Sequence, residues 1–184
     1  MTIFSSTAFR YLLLGCSALA GLMSCAYQRP SGHWVSLETE VITFPAVELD
    51  EKDIDPNYAA VCKEAQDEIN TRLKRELPAK ISPLKLLSGK TVAATDKKAA
   101  TLKLRISRCE IDVDQSGGSF SYYLTLPVDV SLTQNGTSLL DYSMQTYEQI
   151  TIDNPSPDFE FTFAEPVSRT LLLFNGGQLW VPHD

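Results

Sequence analysis

Between Phe120 and Leu132 every even position is apolar or aromatic, while the odd positions are Ser121, Tyr123, Thr125, Pro127, Asp129 and Ser131. A period of two sustained over so long a run predicts one long strand with a buried face and a wet face. Just upstream Leu102, Leu104 and Ile106 alternate in one phase and Cys109, Ile111 and Val113 in the other, so a β-bulge is expected near Ser107 or Arg108. Gln115-Ser116-Gly117-Gly118 is turn chemistry, and Asn135-Gly136 is a type I′ hairpin signal leading into Leu140, Tyr142 and Met144. These runs predict a three-stranded meander. Pro127 has no N–H to give a ladder, so its part of the strand should meet an edge or a bulge.

A helix precedes the meander. Tyr58, Cys62, Ala65, Ile69 and Leu73 recur at helical steps after Asp55, a natural N-cap, and Pro56; Leu77-Pro78 is expected to end the helix. Trp34 to Pro45 reads as a first strand, and residues 78–100 as a long connection with one short strand at most. Near the other end, residues 154–158 read as a Pro-rich loop and Glu165 to Phe174 as a short helix, with Pro166 in its first turn and Gly176 as its stop; Phe159, Phe161 and Phe163 are an alternative further strand. The order strand, helix, three antiparallel strands, helix predicts a two-layer α+β sandwich, a mostly antiparallel sheet with its helices on one face.

The amino terminus adds a different kind of information. Arg10 is the one charged side chain before Tyr11 to Met23, an apolar and weakly polar run too short to span a bilayer, and Leu22-Met23-Ser24-Cys25 follows. This run resembles the lipobox of bacterial lipoproteins. The resemblance implies a signal peptide over residues 1–24, diacylation of Cys25, a tether over 25–33 and a single periplasmic domain over 34–184. Ala26 after the Cys implies sorting to the outer membrane. Leu13-Leu14-Gly15-Cys16 also fits the box, but cleavage there would leave an apolar segment well short of what a signal needs. Two or three acyl chains, at roughly 0.8 kcal/mol per buried methylene, give a stable anchor where one chain does not.

Charge is distributed in blocks. From Cys25 to Thr71 there are three Lys or Arg against ten Asp or Glu, from Arg72 to Arg108 eleven against two, and from Cys109 to Asp184 one against eleven. Two readings follow. The basic block folds back on its acidic neighbours, or it forms a rim that meets phosphates of anionic lipid or lipopolysaccharide, or an acidic partner. The residues carrying the second reading are Lys97, Lys98, Lys103 and Arg105, with Lys103 and Arg105 on one strand face, at an edge that could add a strand to a partner. An exported acidic domain excludes nucleic acid as a partner.

Catalytic chemistry finds little support. His33 and His183 lie near the ends of the mature chain outside any nucleophile or metal motif. Ser88-Gly89-Lys90-Thr91 lacks the first glycine of a phosphate loop, and the calcium-like run from Asp112 to Gly117 has Tyr123 where a bidentate Glu is required. No enzyme activity, metal or cofactor is expected. Cys62 and Cys109 are a disulfide candidate in an oxidising compartment, or else two buried thiols. The element order resembles the small outer-membrane lipoproteins of envelope assembly, notably the lipopolysaccharide-assembly lipoprotein. That implies an accessory or assembly subunit of a translocon, secretion or lipid-transport complex, held to the membrane through its N-terminal acyl chains. The alternative is a binding module that captures a small amphiphile between sheet and helix.

Overall fold

The structure is a computed structural model and describes residues 31–52, 54–89, 98–116, 119–152 and 161–183. The long alternating run extends in both directions to become β7 (Ser119–Gln134), which hairpins into the equally long β8 (Thr137–Ile152). Asn135 and Gly136 take φ values of 53° and 77°, the left-handed pair that a type I′ turn needs and that Gly adopts without a Cβ penalty.

On its other side β7 pairs antiparallel with β5 (Ala99–Ile106) and then β6 (Glu110–Ser116). Between the Ile106–Val128 and Glu110–Thr125 pairs, residues 107–109 stand opposite only Leu126 and Pro127. That extra residue is the expected bulge. Pro127 sits across from it, and the Ser107 N–H donates to the Pro127 carbonyl at 3.1 Å. The bulge shifts the side-chain phase, so Leu102, Leu104, Ile106, Cys109 and Ile111 all reach the same core.

The rest of the sheet is parallel, a departure from the expected meander-dominated layout. β2 (Val41–Phe44) pairs parallel with both β5 and β4 (Lys85–Ser88), and β3 (Glu48–Leu49) continues the β2 tier alongside β5. β2, α1 (Ala59–Ile81) and β4 therefore form a β-α-β crossover. The first strand expected over Trp34 to Pro45 is two strands in two sheets. β1 (Gly32–Ser36), which begins inside the expected tether, pairs instead with β10 (Gln178–Pro182) in a small sheet completed by β9 (Phe174–Asn175). The chain changes sheets where the Leu37 N–H turns to the Gly177 carbonyl and the Glu40 N–H to the Lys98 carbonyl.

α1 lays Cys62, Ala65, Ile69, Leu73, Leu77 and Ile81 on the sheet, all fully buried. The helix runs past Pro78, where the sequence pattern ends it. Pro78 removes one helical hydrogen bond, yet Leu77 and Ile81 continue the buried stripe, and their packing outweighs the loss. Asp55 does not cap the helix. Its side chain accepts the Asn57 N–H at 2.8 Å and its carbonyl the Tyr58 N–H at 2.9 Å, forming a turn that feeds the helix start. α2 (Ala164–Leu172) packs on the same face, with Pro166 in its first turn. Gly176 and Gly177 form the β9–β10 turn, not the helix stop. Phe161 and Phe163 enter the core ahead of α2 without forming a strand, whereas Phe159, the expected loop over 154–158, and Gly117-Gly118 lie outside the described residues. The result is an α+β two-layer sandwich with both helices on one face of a mixed sheet.

Candidate docking surface

Among the described residues the apolar faces of the sheet and of α1 meet directly. Leu102, Leu104, Val128, Val130 and Leu132 on the sheet are as fully buried as the α1 stripe above them. The space lined by Leu124, Leu126 and Phe163 near α2 is about 10 Å³, room for roughly one water-sized sphere. Cys62 and Cys109 are bonded, with Cα atoms 5.9 Å apart. The bridge fixes the first turn of α1 to the bulge before β6, so β6 and the paired parts of β7 and β8 run on beyond the start of the helix.

Of the four candidate cations, Lys98 and Arg105 are each taken up by a different carboxylate. Lys97 lies outside the described residues. Lys98 pairs with Glu40 at 2.7 Å, and Arg105 with Asp50. The Arg105 guanidinium, helped by the Lys52 backbone N–H, holds the Asp50 carboxyl below its ordinary range. Lys103 is exposed and makes no ion pair among the described residues. Lys103 and Arg105 do share the wet face, but their strand is interior, flanked by β2 and β3 on one side and by β7 on the other. The edge expected there does not exist. The basic block folds back on its acidic flanks through Lys98–Glu40, Arg105–Asp50 and Arg108–Glu110.

Two other strands carry the open edges. β8 is covered at its middle by α2. There the Glu165 carboxylate accepts the Tyr147 N–H at 2.8 Å, and Arg169, ion-paired with Glu165, donates to the Gln145 carbonyl at 2.7 Å. Glu148 accepts the Phe163 N–H at 2.9 Å and so holds the approach to α2 against the sheet. β6 has no such cover. Beyond Ile106 no strand lies on its outer side among the described residues, and no backbone hydrogen bond reaches residues 110–116 from that side. Glu110, Asp112 and Asp114 stand on the wet face, in register with Thr125, Tyr123 and Ser121. Ile111 is 9% exposed, and Val113, one step farther from the helix, 45%.

The small sheet was not legible as such, although Leu179 and Val181 alternate after a Gly-Gly turn and give a usable strand signal. It brings the two histidines together: the rings of His33 and His183 stack with centroids 5.4 Å apart. An open groove of about 430 Å³ lies between this sheet and the start of β8, lined by Val35, Leu37, Leu139, Leu179 and Val181 with His33 on its wall. Among the described residues no three His, Cys, Asp or Glu side chains gather as a metal site, and no helix is long and apolar enough to cross a membrane. Cys25 lies outside the described residues.

No family model matches the chain, and no curated protein does. Solved structures similar to it include a hypothetical protein from Chlamydia trachomatis, at 12% identity and a TM-score of 0.41, covering 65% of this chain and 77% of that one. A minor lipoprotein from Acinetobacter baumannii matches at 14% identity and 0.40, covering 74% and 85%. A lipoprotein from Neisseria meningitidis matches at 12% and 0.34, covering 72% and 95%. Likeness at this level is a partial sharing of arrangement, and no function is carried across it.

Proposed function

We propose that this chain is an exported lipoprotein, anchored through acylated Cys25 in the outer membrane, whose domain faces the periplasm and docks, without catalysis, on a protein complex of the cell envelope. The observation that carries the reading is Cys25 at the close of Leu22-Met23-Ser24-Cys25, after an apolar run too short to be a membrane span. The Cys62–Cys109 bridge fits the oxidising compartment that export implies. The filled core favours docking over capture, because an amphiphile between sheet and helix would need a cavity where the side chains already meet. The ion-paired state of Lys98 and Arg105 also weakens a phosphate-binding role for the basic block.

The test is metabolic labelling with radioactive palmitate, followed by cell fractionation, of the wild type and of Cys25→Ala. Label and membrane association in the wild type, both lost in the variant, are the expected result; an unlabelled wild type would sink the anchor. Cross-linking in intact cells then tests docking, with recovery of a defined membrane complex expected. Recovery of the lipoprotein alone would count against it.

A further inference from the structure

Both β6 and β8 are edge strands of the long β6–β7–β8 arm, and among the described residues no strand or helix side chain is bonded to the outer backbone of β6. Alternate residues of an antiparallel pair point their N–H and C=O groups away from the partner strand. Among the described residues β6 therefore presents a row of backbone groups that no other strand takes up, the template on which another strand grows. β8, with the same liability, is blunted at its middle, at Gln145 and Tyr147, by Arg169 and Glu165 from α2.

The side chains of β6 define what could pair there. On the wet face Glu110 is engaged by Arg108 at 3.2 Å, while Asp112 and Asp114 make no ion pair among the described residues. Across the sheet their neighbours are Tyr123 and Ser121, then Gln149 and Thr151, so no cation stands opposite either of them. On the helix-side face Val113 is 45% exposed beyond the reach of α1. A second copy of the chain is a poor occupant, because pairing two β6 edges sets these carboxylates against their own kind, and like charges on facing strands repel. An anionic lipid is excluded by the same sign.

We propose that the edge of β6, residues Glu110–Ser116, takes up an extended basic segment of a partner protein as an added strand, its cations facing Asp112 and Asp114 and its apolar side chains covering Val113. The affinity comes from main-chain hydrogen bonds and the choice of partner from the alternation of charge, which is the logic of strand addition generally. The inference deepens the docking reading above by naming the surface and the chemistry of the partner.

The probe is a blocked, fluorescent peptide of sequence Lys-Val-Lys-Val-Lys-Thr-Lys, titrated by anisotropy against full-length protein in non-ionic detergent. Two controls accompany it: an acidic twin with Glu for Lys, and two peptides methylated on alternate amides, one for each set. Saturable binding of the basic peptide is expected, with no binding of the acidic twin and loss of binding for one of the two methylated peptides. Asp112→Lys/Asp114→Lys should lower affinity for the basic peptide by about tenfold or more and raise it for the acidic twin. Both positions are exposed, so an unchanged melting temperature checks that the variant is folded.

Equal binding of both methylated peptides would refute strand addition, and an indifferent double variant would refute the basic partner. Self-association of the wild type that the peptide reverses would assign the edge to a second copy and overturn the proposal, as would absence of binding. Failure here with a membrane complex still recovered by cross-linking would remove this surface and leave the docking reading standing.

Discussion

Opening the Cys62–Cys109 bridge should cost the domain about 4 kcal/mol, because it joins residues 47 apart in sequence and so removes the closure entropy of a loop that long from the unfolded chain. Set against a typical total of about 5–15 kcal/mol, that is a large share. For a domain of this size it corresponds to a fall in melting temperature of roughly 8–16 °C. Both sulfurs are inaccessible in the native state, Cys62 being 0% and Cys109 2% exposed. Reductant must therefore be added to denatured protein, which is then refolded with the reductant present. Urea titrations of the oxidised and reduced forms give the difference directly. The Cys62→Ala/Cys109→Ala double variant should give the same curve with and without reductant. A reduced form that unfolds at the same urea concentration as the oxidised one, or labelling of Cys62 and Cys109 by a thiol reagent in unreduced denatured protein, located by peptide mapping, would refute the reasoning.

Three further outcomes follow from the geometry. Gly32→Ala should release β1 from β10, because a Cβ there would lie 2.4 Å from the Val181 carbonyl oxygen and 2.8 Å from the Trp180 ring; faster amide exchange at Val35 and Val181, in the pairs whose N–H groups face the opposite strand, with little change in the main sheet is the readout, and unchanged exchange would contradict it. Glu165→Ala/Arg169→Ala should uncover the middle of β8 and make the protein self-associate at high concentration, as sedimentation would detect, since a capped edge is what keeps such strands apart. Arg105 lowers the Asp50 carboxyl below its ordinary value, so the stability this pair contributes is present above about pH 3.9 and lost as pH falls through the lowered folded value; Asp50→Asn should flatten that acid limb, and an unchanged profile would exclude the pair.

The elements whose periodicity is long were legible in the sequence. The alternation from Phe120 to Leu132, the phase change before Cys109 and the Asn135-Gly136 turn report local geometry, and the structure realises each one. What was not legible depends on partners far away in the chain. Pro78 reads as a stop because the local cost is visible and the gain from burying Ile81 against the sheet is not. Trp34 to Pro45 reads as one strand because nothing in the run discloses that β1 pairs with residues 178–182 and β2 with β4 and β5. The candidate cations were misplaced on an edge for the same reason: a strand of alternating Leu and Lys looks half-exposed whether or not another strand runs beside it. Only the parallel pairing with β2 and β3 makes β5 interior.

The charge blocks of the sequence acquire a consequence once the strands are placed. Lys98, Arg105 and Arg108 are paired at the surface with Glu40, Asp50 and Glu110. Beyond Arg108 the chain has a single basic residue, Arg169, and that one is held by Glu165 over the edge of β8. The acidic excess left over is therefore not spread evenly. Asp112 and Asp114 stand on the strand that continues past the helix, next to backbone groups that nothing in the described structure satisfies. Negative charge on an open edge blocks pairing with a copy of itself while leaving the edge available to a strand of opposite sign, which covering the edge would not do. Selection for solubility alone would be met by a cap of the kind α2 places on β8. A bare acidic edge beside a capped one is the arrangement expected where a basic partner strand has to dock.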